Sequence, residues 1–291
     1  MLGAMDMPVA PRSPFEVSEP HPLESCKFQD PLRTAKGEKR ARVGIERLET
    51  LWINTGTLCN LACTSCYIES SPVNDALAYL SLADAEDYFD QAAALGTRMI
   101  GFTGGEPFMN RDMVAMMRAA LARGFELLVL TNAMRPMRRF DAERGTGSWR
   151  KAVDGLLWLA RAGFRVAVAG RRYDEETMER AGYERLLREL GIEADHLVLF
   201  PTMDATADVP EISEGCWDIL HVAPDTMMCA SSRMVVKAKG DARPHVVACT
   251  LLPFDERFAM GEALADTMRP VSLNHPHCAR FCVLGGASCS G

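Results

Sequence analysis

The 291 residues are 48% hydrophobic and 24% charged, with a net charge of −7 and a pI near 5.5. This balance fits a globular chain with one large domain or two smaller ones and a sizeable core. It argues against a nucleic-acid surface, because basic residues gather only in the short runs 36–42 and 135–139. No apolar run approaches the roughly 20 residues that span a bilayer, and no charged-then-apolar signal segment opens the chain. A cytoplasmic protein with no membrane partner is expected.

Residues 1–46 are rich in Pro, Glu, Lys and Arg and lack a sustained apolar period, which suggests a tail or wrapping arm. From Leu48 a rhythm begins. Leu51–Thr55 reads as a strand, and Leu82–Leu95 as a helix with Ser81 or Asp84 at its start. Met99–Thr103 is the next strand, Met113–Arg123 a helix, and Glu126–Leu130 a strand. Trp149–Ala162 reads as a helix stopped by Gly163, Arg165–Ala169 as a strand, Glu175–Leu190 as a helix stopped by Gly191, and His196–Phe200 as a strand. Such alternation implies an α/β fold with a parallel sheet and reactive residues in the loops after the strands. The rhythm breaks after Pro201. This predicts a boundary near residue 205, with one domain over 47–205 and a small Cys-rich α+β domain over 206–291.

Ten cysteines are many for a chain with no sign of export, so metal binding or chemistry is favoured over a disulfide framework. Cys26 stands alone. Cys59, Cys63 and Cys66 follow the first strand with the spacing Cys-x3-Cys-x2-Cys. Three thiolates on one loop can each take an iron of a [4Fe-4S] cube and leave the fourth open. The bland alternatives are a zinc knuckle or unligated core cysteines. Zinc sites more often show paired Cys-x2-Cys or Cys/His sets, and no histidine is near. At the end of the second strand, Thr103-Gly104-Gly105-Glu106-Pro107 forms a turn whose glycines permit close backbone approach and whose Glu106 offers a carboxylate to a cation.

The cysteine triplet resembles that of the radical S-adenosylmethionine (SAM) superfamily, and the Gly-Gly-Glu turn lies where that family has its SAM ammonium site. The resemblance implies a partial (β/α)6 TIM-like barrel. It implies a [4Fe-4S] cluster on Cys59, Cys63 and Cys66, with SAM on its open iron and Gly104, Gly105 and Glu106 at the SAM amino group. Thr131 and Asn132, ending the third strand, match a polar pair that touches SAM, and strand-end capping is an equal reading. The aromatic residue common before the third cysteine is Ser65 here, and Tyr67 follows instead. Val166–Gly170 resembles the family's fifth strand beside adenine.

The family barrel has a helix, a strand and a further helix after its third strand. Only 16 residues lie between Asn132 and the helix expected at Trp149. Either the fourth strand has been lost, or residues are skipped between Met134 and Glu143, which a Cα step well above ~3.8 Å would reveal. The second reading is preferred on sequence alone.

Six cysteines follow residue 215: Cys216, Cys229, Cys249, Cys278, Cys282 and Cys289. The stretch from Cys216 to Cys229 reads as strand, Pro-Asp turn, strand. This segment resembles the SPASM or shorter twitch extensions of radical SAM enzymes, which carry auxiliary iron–sulfur clusters. Thr226 replaces the usual turn glycine, and the last three cysteines are spaced Cys-x3-Cys-x6-Cys. Six cysteines are too few for two full clusters, so one auxiliary [4Fe-4S] cluster is expected. The preferred ligands are Cys229, Cys249, Cys278 and Cys282, with Cys216 and Cys289 as alternates. A zinc site drawing on His275 and His277 is the alternative. Arg233 reads as a surface arginine or a clamp for a substrate carboxylate or phosphate.

The resemblance implies one-electron reduction by flavodoxin or ferredoxin, cleavage of SAM to a 5′-deoxyadenosyl radical, and hydrogen abstraction. The expected enzyme is an oxidoreductase or lyase-like catalyst acting on a small molecule. A peptide-modifying maturase and a non-catalytic iron–sulfur electron-transfer or sensor protein are the competing readings.

Overall fold

The structure is a computed structural model that describes residues 21–63, 66–133, 148–172, 176–192, 196–201 and 206–285. Arg42–Val43 form a short strand, β1, and Thr50–Asn54 the strand β2, in which every residue is buried. A strand covered on both faces loses the polar alternation of a half-exposed one. Leu82–Ala94 (α1) starts at a capping box: the Ser81 hydroxyl accepts the Asp84 N–H at 3.1 Å, and the Asp84 carboxylate accepts the Ser81 N–H at 3.2 Å. The two candidate caps therefore act as one device. Helix α1 buries Ala85, Tyr88, Phe89 and Ala92, one helical stripe.

Met99–Thr103 (β3), Met113–Ala122 (α2), Glu126–Val129 (β4) and Ser148–Arg161 (α3) follow, then Ala167–Arg172 (β5), Glu176–Glu189 (α4) and His196–Pro201 (β6). The C-terminal segment adds Cys216–Leu220 (α5), Ser232–Val236 (β7), His245–Val247 (β8), Ala259–Gly261 (β9), Val271–Ser272 (β10) and a π-helical turn, Cys278–Val283. Strand β5 begins two residues later than the sequence pattern suggests.

One six-stranded sheet has the order β4-β3-β2-β7-β8-β9. β4, β3, β2 and β7 run parallel, and β7–β8–β9 continue as an antiparallel meander. Asn54 pairs with Thr103 in register, which brings the loops after β2 and β3 to the same sheet end. β5 and β6 form a separate parallel pair. Among the described residues no pairing joins β5 to β4. β1 pairs antiparallel with β10.

The sheet crosses the position where the sequence suggests a boundary, since β7 hydrogen-bonds directly to β2. The arm is likewise built in. Phe28, Ala41 and Val43 share an apolar core with Val209, Ile212, Met228, Leu273 and Phe281. The buried Arg40 guanidinium pairs with Glu211 and donates to the Leu273 carbonyl at 3.2 Å.

One expectation changes. Between Cys216 and Cys229 there is no strand–turn–strand: the stretch forms α5 and 3-10 turns at Pro224–Thr226 and Met228–Ala230. Pro224 opens its turn, where its fixed φ fits and its missing N–H costs nothing. The hairpin is instead β7–β8, bracketed by Cys229 and Cys249. The choice between a lost fourth strand and skipped residues falls on 134–147. That stretch lies outside the described residues. Among the described residues no helix is long and apolar enough to cross a membrane.

Candidate functional site

The site lies where β2, β3 and β4 end. The Thr55 N–H and hydroxyl both donate to the Thr103 carbonyl, at 2.8 and 2.9 Å, and continue the pairing past the strands. The Gly105 N–H then donates to the Gly56 carbonyl at 2.8 Å, and the Glu106 N–H to the Leu58 carbonyl at 3.2 Å. These bonds lay the Gly-Gly-Glu turn along the start of the cysteine loop. A Cβ on Gly104, whose φ is +130°, would meet the Gly56 oxygen at 2.6 Å, and one on Gly105 the Leu58 oxygen at 2.3 Å. Both glycines are required by backbone against backbone.

Glu106 is 1% exposed. Its Oε1 accepts the Phe108 N–H at 3.2 Å, and its Oε2 accepts the Asn132 N–H at 2.9 Å. The Thr131 hydroxyl reaches both oxygens, at 2.8 and 3.0 Å. Asn132 then points its amide at the cysteine loop: Nδ2 donates to Asn60 Oδ1 at 2.9 Å and lies 3.8 Å from Cys59 Sγ. Glu106, Thr131, Asn132 and Cys59 are thus brought together. Asn60 is a member of this network that sequence reasoning passed over; its place beside Cys59 is the only local signal of it.

Cys59 is buried among Leu61 and Ala152 of α3, with Cys63 packed against them. Gly155 holds α3 close, for a Cβ there would meet the Ala133 carbonyl oxygen at 2.1 Å. Burial pushes the Cys59 thiol up to about 11, and the neighbouring Glu106, Cys63 and Cys66 add to it, while the Leu61 N–H at 3.4 Å opposes. Cys66 Sγ accepts the Ser70 N–H at 3.3 Å. Tyr67 is half-buried against the apolar core of the C-terminal segment.

The chemistry of this donor set fits an iron–sulfur cluster. The Cys59 thiol sits near two other thiols in surroundings that penalise its anion, and backbone N–H groups already point at the sulfurs of Cys59 and Cys66. Cationic iron relieves that penalty, and three ligands leave one iron open. Among the described residues no three His, Cys, Asp or Glu side chains converge at common metal-ligand reach, so the thiols neighbour one another without closing on a point.

A second thiol group lies in the C-terminal segment. Burial pushes the Cys278 thiol well above its ordinary value, and Cys249, Cys282 and Cys229 add to it as near neighbours. These are the four thiols preferred on sequence. Cys216 has other company: it accepts the Ser213 N–H at 3.3 Å and lies 3.5 Å from the Ser213 hydroxyl. Cys289 lies outside the described residues. His275 stacks edge-on against Phe258 and His277, and burial, then His277, pushes it down to about 4, which keeps it neutral.

Arg233 is neither a surface residue nor a substrate clamp. It sits on β7 opposite Leu51 and is fully buried. Nε donates to the Thr267 carbonyl at 3.1 Å. Nη1 donates to the carbonyls of Cys229 and Ser232, each at 2.7 Å, and Nη2 to those of Thr267 and Arg269, at 3.0 and 3.2 Å. All five N–H donors of a guanidinium are thereby used, and none is left for a substrate oxygen.

Residues 53–144 match the radical SAM superfamily. Fe-coproporphyrin III synthase of Methanosarcina barkeri is 29% identical over 104 residues, 34% of this chain and 25% of that protein. An S-adenosylmethionine-dependent nucleotide dehydratase of Selenomonas ruminantium is 35% identical over 75 residues, 25% of this chain and 26% of that protein. The chain thus spans about a quarter of the length of these curated relatives. In fold it is similar to Streptococcus suis SuiB bound to its precursor peptide SuiA, with a TM-score of 0.56 and 13% identity over 77% of this chain and 65% of that one. The span similar to the radical SAM superfamily, residues 53–144, holds both the cysteine loop at the end of β2 and the Glu106 turn at the end of β3.

Proposed function

We propose that the chain is a radical SAM enzyme whose cluster is held by Cys59, Cys63 and Cys66, with a small molecule as substrate. When bound, the [4Fe-4S] cluster and SAM supply reductive cleavage of the sulfonium and a 5′-deoxyadenosyl radical for hydrogen abstraction. The chain's own residues provide placement. The Gly104-Gly105 turn and Glu106 present backbone and a carboxylate to the SAM amino group. Thr131 and the Asn132 N–H hold that carboxylate in one orientation, and the Asn132 amide ties it to the cysteine loop. Burial of Cys59 and Glu106 keeps water from the reacting centre. The reductant is a flavodoxin or ferredoxin.

The observation that carries this reading is the run of contacts from Cys59 through Asn132 to Glu106, which makes three strand ends one site. We assign a second, auxiliary cluster to Cys229, Cys249, Cys278 and Cys282, on a SPASM- or twitch-like segment. Four cysteine ligands leave no open iron, so its role is electron transfer to or from the substrate. The two curated relatives are named for reactions on a porphyrin and a nucleotide, which supports a small molecule. A peptide substrate is the second reading, supported by the likeness to SuiB in its peptide complex.

The test is anaerobic reconstitution, reduction and incubation with SAM. Formation of 5′-deoxyadenosine, abolished in Cys63→Ala, is the expected result. Its absence from protein that carries the cluster leaves the electron-transfer or sensor reading, and zinc at the three thiols ends the proposal.

A further inference from the structure

Arg233 carries a positive charge into the interior, where its five donors meet backbone carbonyls. Among the described residues no Asp or Glu forms an ion pair with it. Its head is satisfied as a hydrogen-bond donor, by four carbonyl oxygens, but carbonyls do not cancel a full charge. A buried cation without a counter-charge is costly and is retained only where something nearby offsets it. The other cation close by, Arg269, makes matters worse, and the groups near it able to carry the opposite charge, once deprotonated, are Cys229 and Cys249. The geometry agrees. One Nη1 donor grips the carbonyl of Cys229 itself at 2.7 Å, and β7, which carries Arg233, is the first strand of the hairpin that Cys229 and Cys249 bracket.

We propose that Arg233 is a positioning residue that compensates charge at the auxiliary centre, its fixed cation matching the negative charge that Cys229 and Cys249 carry as thiolate ligands. This rests on the assignment of an auxiliary cluster to Cys229, Cys249, Cys278 and Cys282. The same arginine binds the Thr267 and Arg269 carbonyls and lies on the strand paired with β2, so it links the auxiliary thiols to the strand that leads into Cys59. A fixed cation beside a redox centre favours the more negative, reduced state. It therefore raises the centre's midpoint potential.

The test uses full-length protein with Cys59, Cys63 and Cys66 all changed to Ala, so that any remaining iron reports the C-terminal thiols. After anaerobic reconstitution with iron and sulfide, about four irons per chain are expected. A chain with none overturns the auxiliary centre and this role with it. In the iron-loaded background, redox titration followed by EPR compares Arg233 with Arg233→Lys and Arg233→Met. The neutral variant is expected to lower the midpoint potential by a tenfold step in the one-electron equilibrium, about 59 mV, while Lys stays near the parent. Where Arg233→Met does not fold, Arg233→Gln makes the same charge-to-neutral comparison and keeps a donor for the Cys229 carbonyl. A merely structural tie predicts equal damage from Lys and Gln, because both lose most of the five bonds. Equal potentials in the parent and a folded neutral variant, with four irons in each, overturn the proposal while leaving the cluster assignment in place.

Discussion

The hydroxyl of Thr131 lies 2.8 and 3.0 Å from the two carboxylate oxygens of Glu106, so the end of β4 is fastened to the turn after β3. A buried carboxylate so restrained offers its charge to a ligand in one fixed direction. Glu106→Gln keeps the shape and removes the charge. A charge-assisted hydrogen bond is worth about 1.5–3 kcal/mol, so 5′-deoxyadenosine formation is expected to fall roughly 10- to 150-fold. Iron content, measured on the same sample, stays at the wild-type level.

Asn132 is the bridge between this carboxylate and the cysteine loop. Asn132→Ala removes the donor to Asn60 while the backbone N–H to Glu106 remains. One neutral hydrogen bond contributes about 1 kcal/mol, so a roughly fivefold slower 5′-deoxyadenosine formation is expected, with the cluster's absorbance retained.

Gly105→Ala tests the backbone contact. The new methyl would lie 2.3 Å from the Leu58 carbonyl oxygen, and no side chain can move aside to relieve it. Overpacking of this kind costs about 1–3 kcal/mol, which lowers Tm by ~2–4 °C per kcal/mol. Because the displaced backbone leads into Cys59, iron at the first loop is expected to fall as well, read by iron counting after desalting.

The arm carries a pH dependence. Burial alone raises the Glu211 carboxyl, but the Ala35 N–H, the Arg40 guanidinium and the Phe28 N–H outweigh it and hold it below its ordinary 4.5. A carboxyl depressed in the folded state stabilises fully above its unfolded pKa, and that stability drains away as the pH falls through the folded one. Thermal melts from pH 7 downward are expected to be flat in this respect until about 4.5 and to drop below it. In Glu211→Gln the overall Tm is lower and the acid drop is shallower.

The two thiol groups are separable by metal content. With both clusters loaded the chain holds about eight irons, and Cys229→Ser with Cys278→Ser is expected to leave about four. 5′-Deoxyadenosine formation from SAM survives this pair of changes, whereas turnover of substrate stops. A full complement of iron in the double variant removes these cysteines from the ligand set.

Sequence alone determined the features that local physics controls. The Ser81–Asp84 cap, the buried apolar run of β2 and the stripe of α1 are set by neighbours within a few residues, and they stand where the pattern puts them. The cysteine spacing and the Gly-Gly-Glu turn are equally local, and they carried the family resemblance. Tertiary structure decided what depends on distant partners. Short apolar runs such as 216–229 suit a helix or a strand until an edge is present to pair with, and there the chain coils while β7 takes the edge of β2. Arg233 reads as exposed because long-range burial leaves no mark on its neighbours. Pairing of Ser232–Val236 with a strand some 180 residues earlier in the chain places its guanidinium in the interior, where it donates to the Cys229 carbonyl.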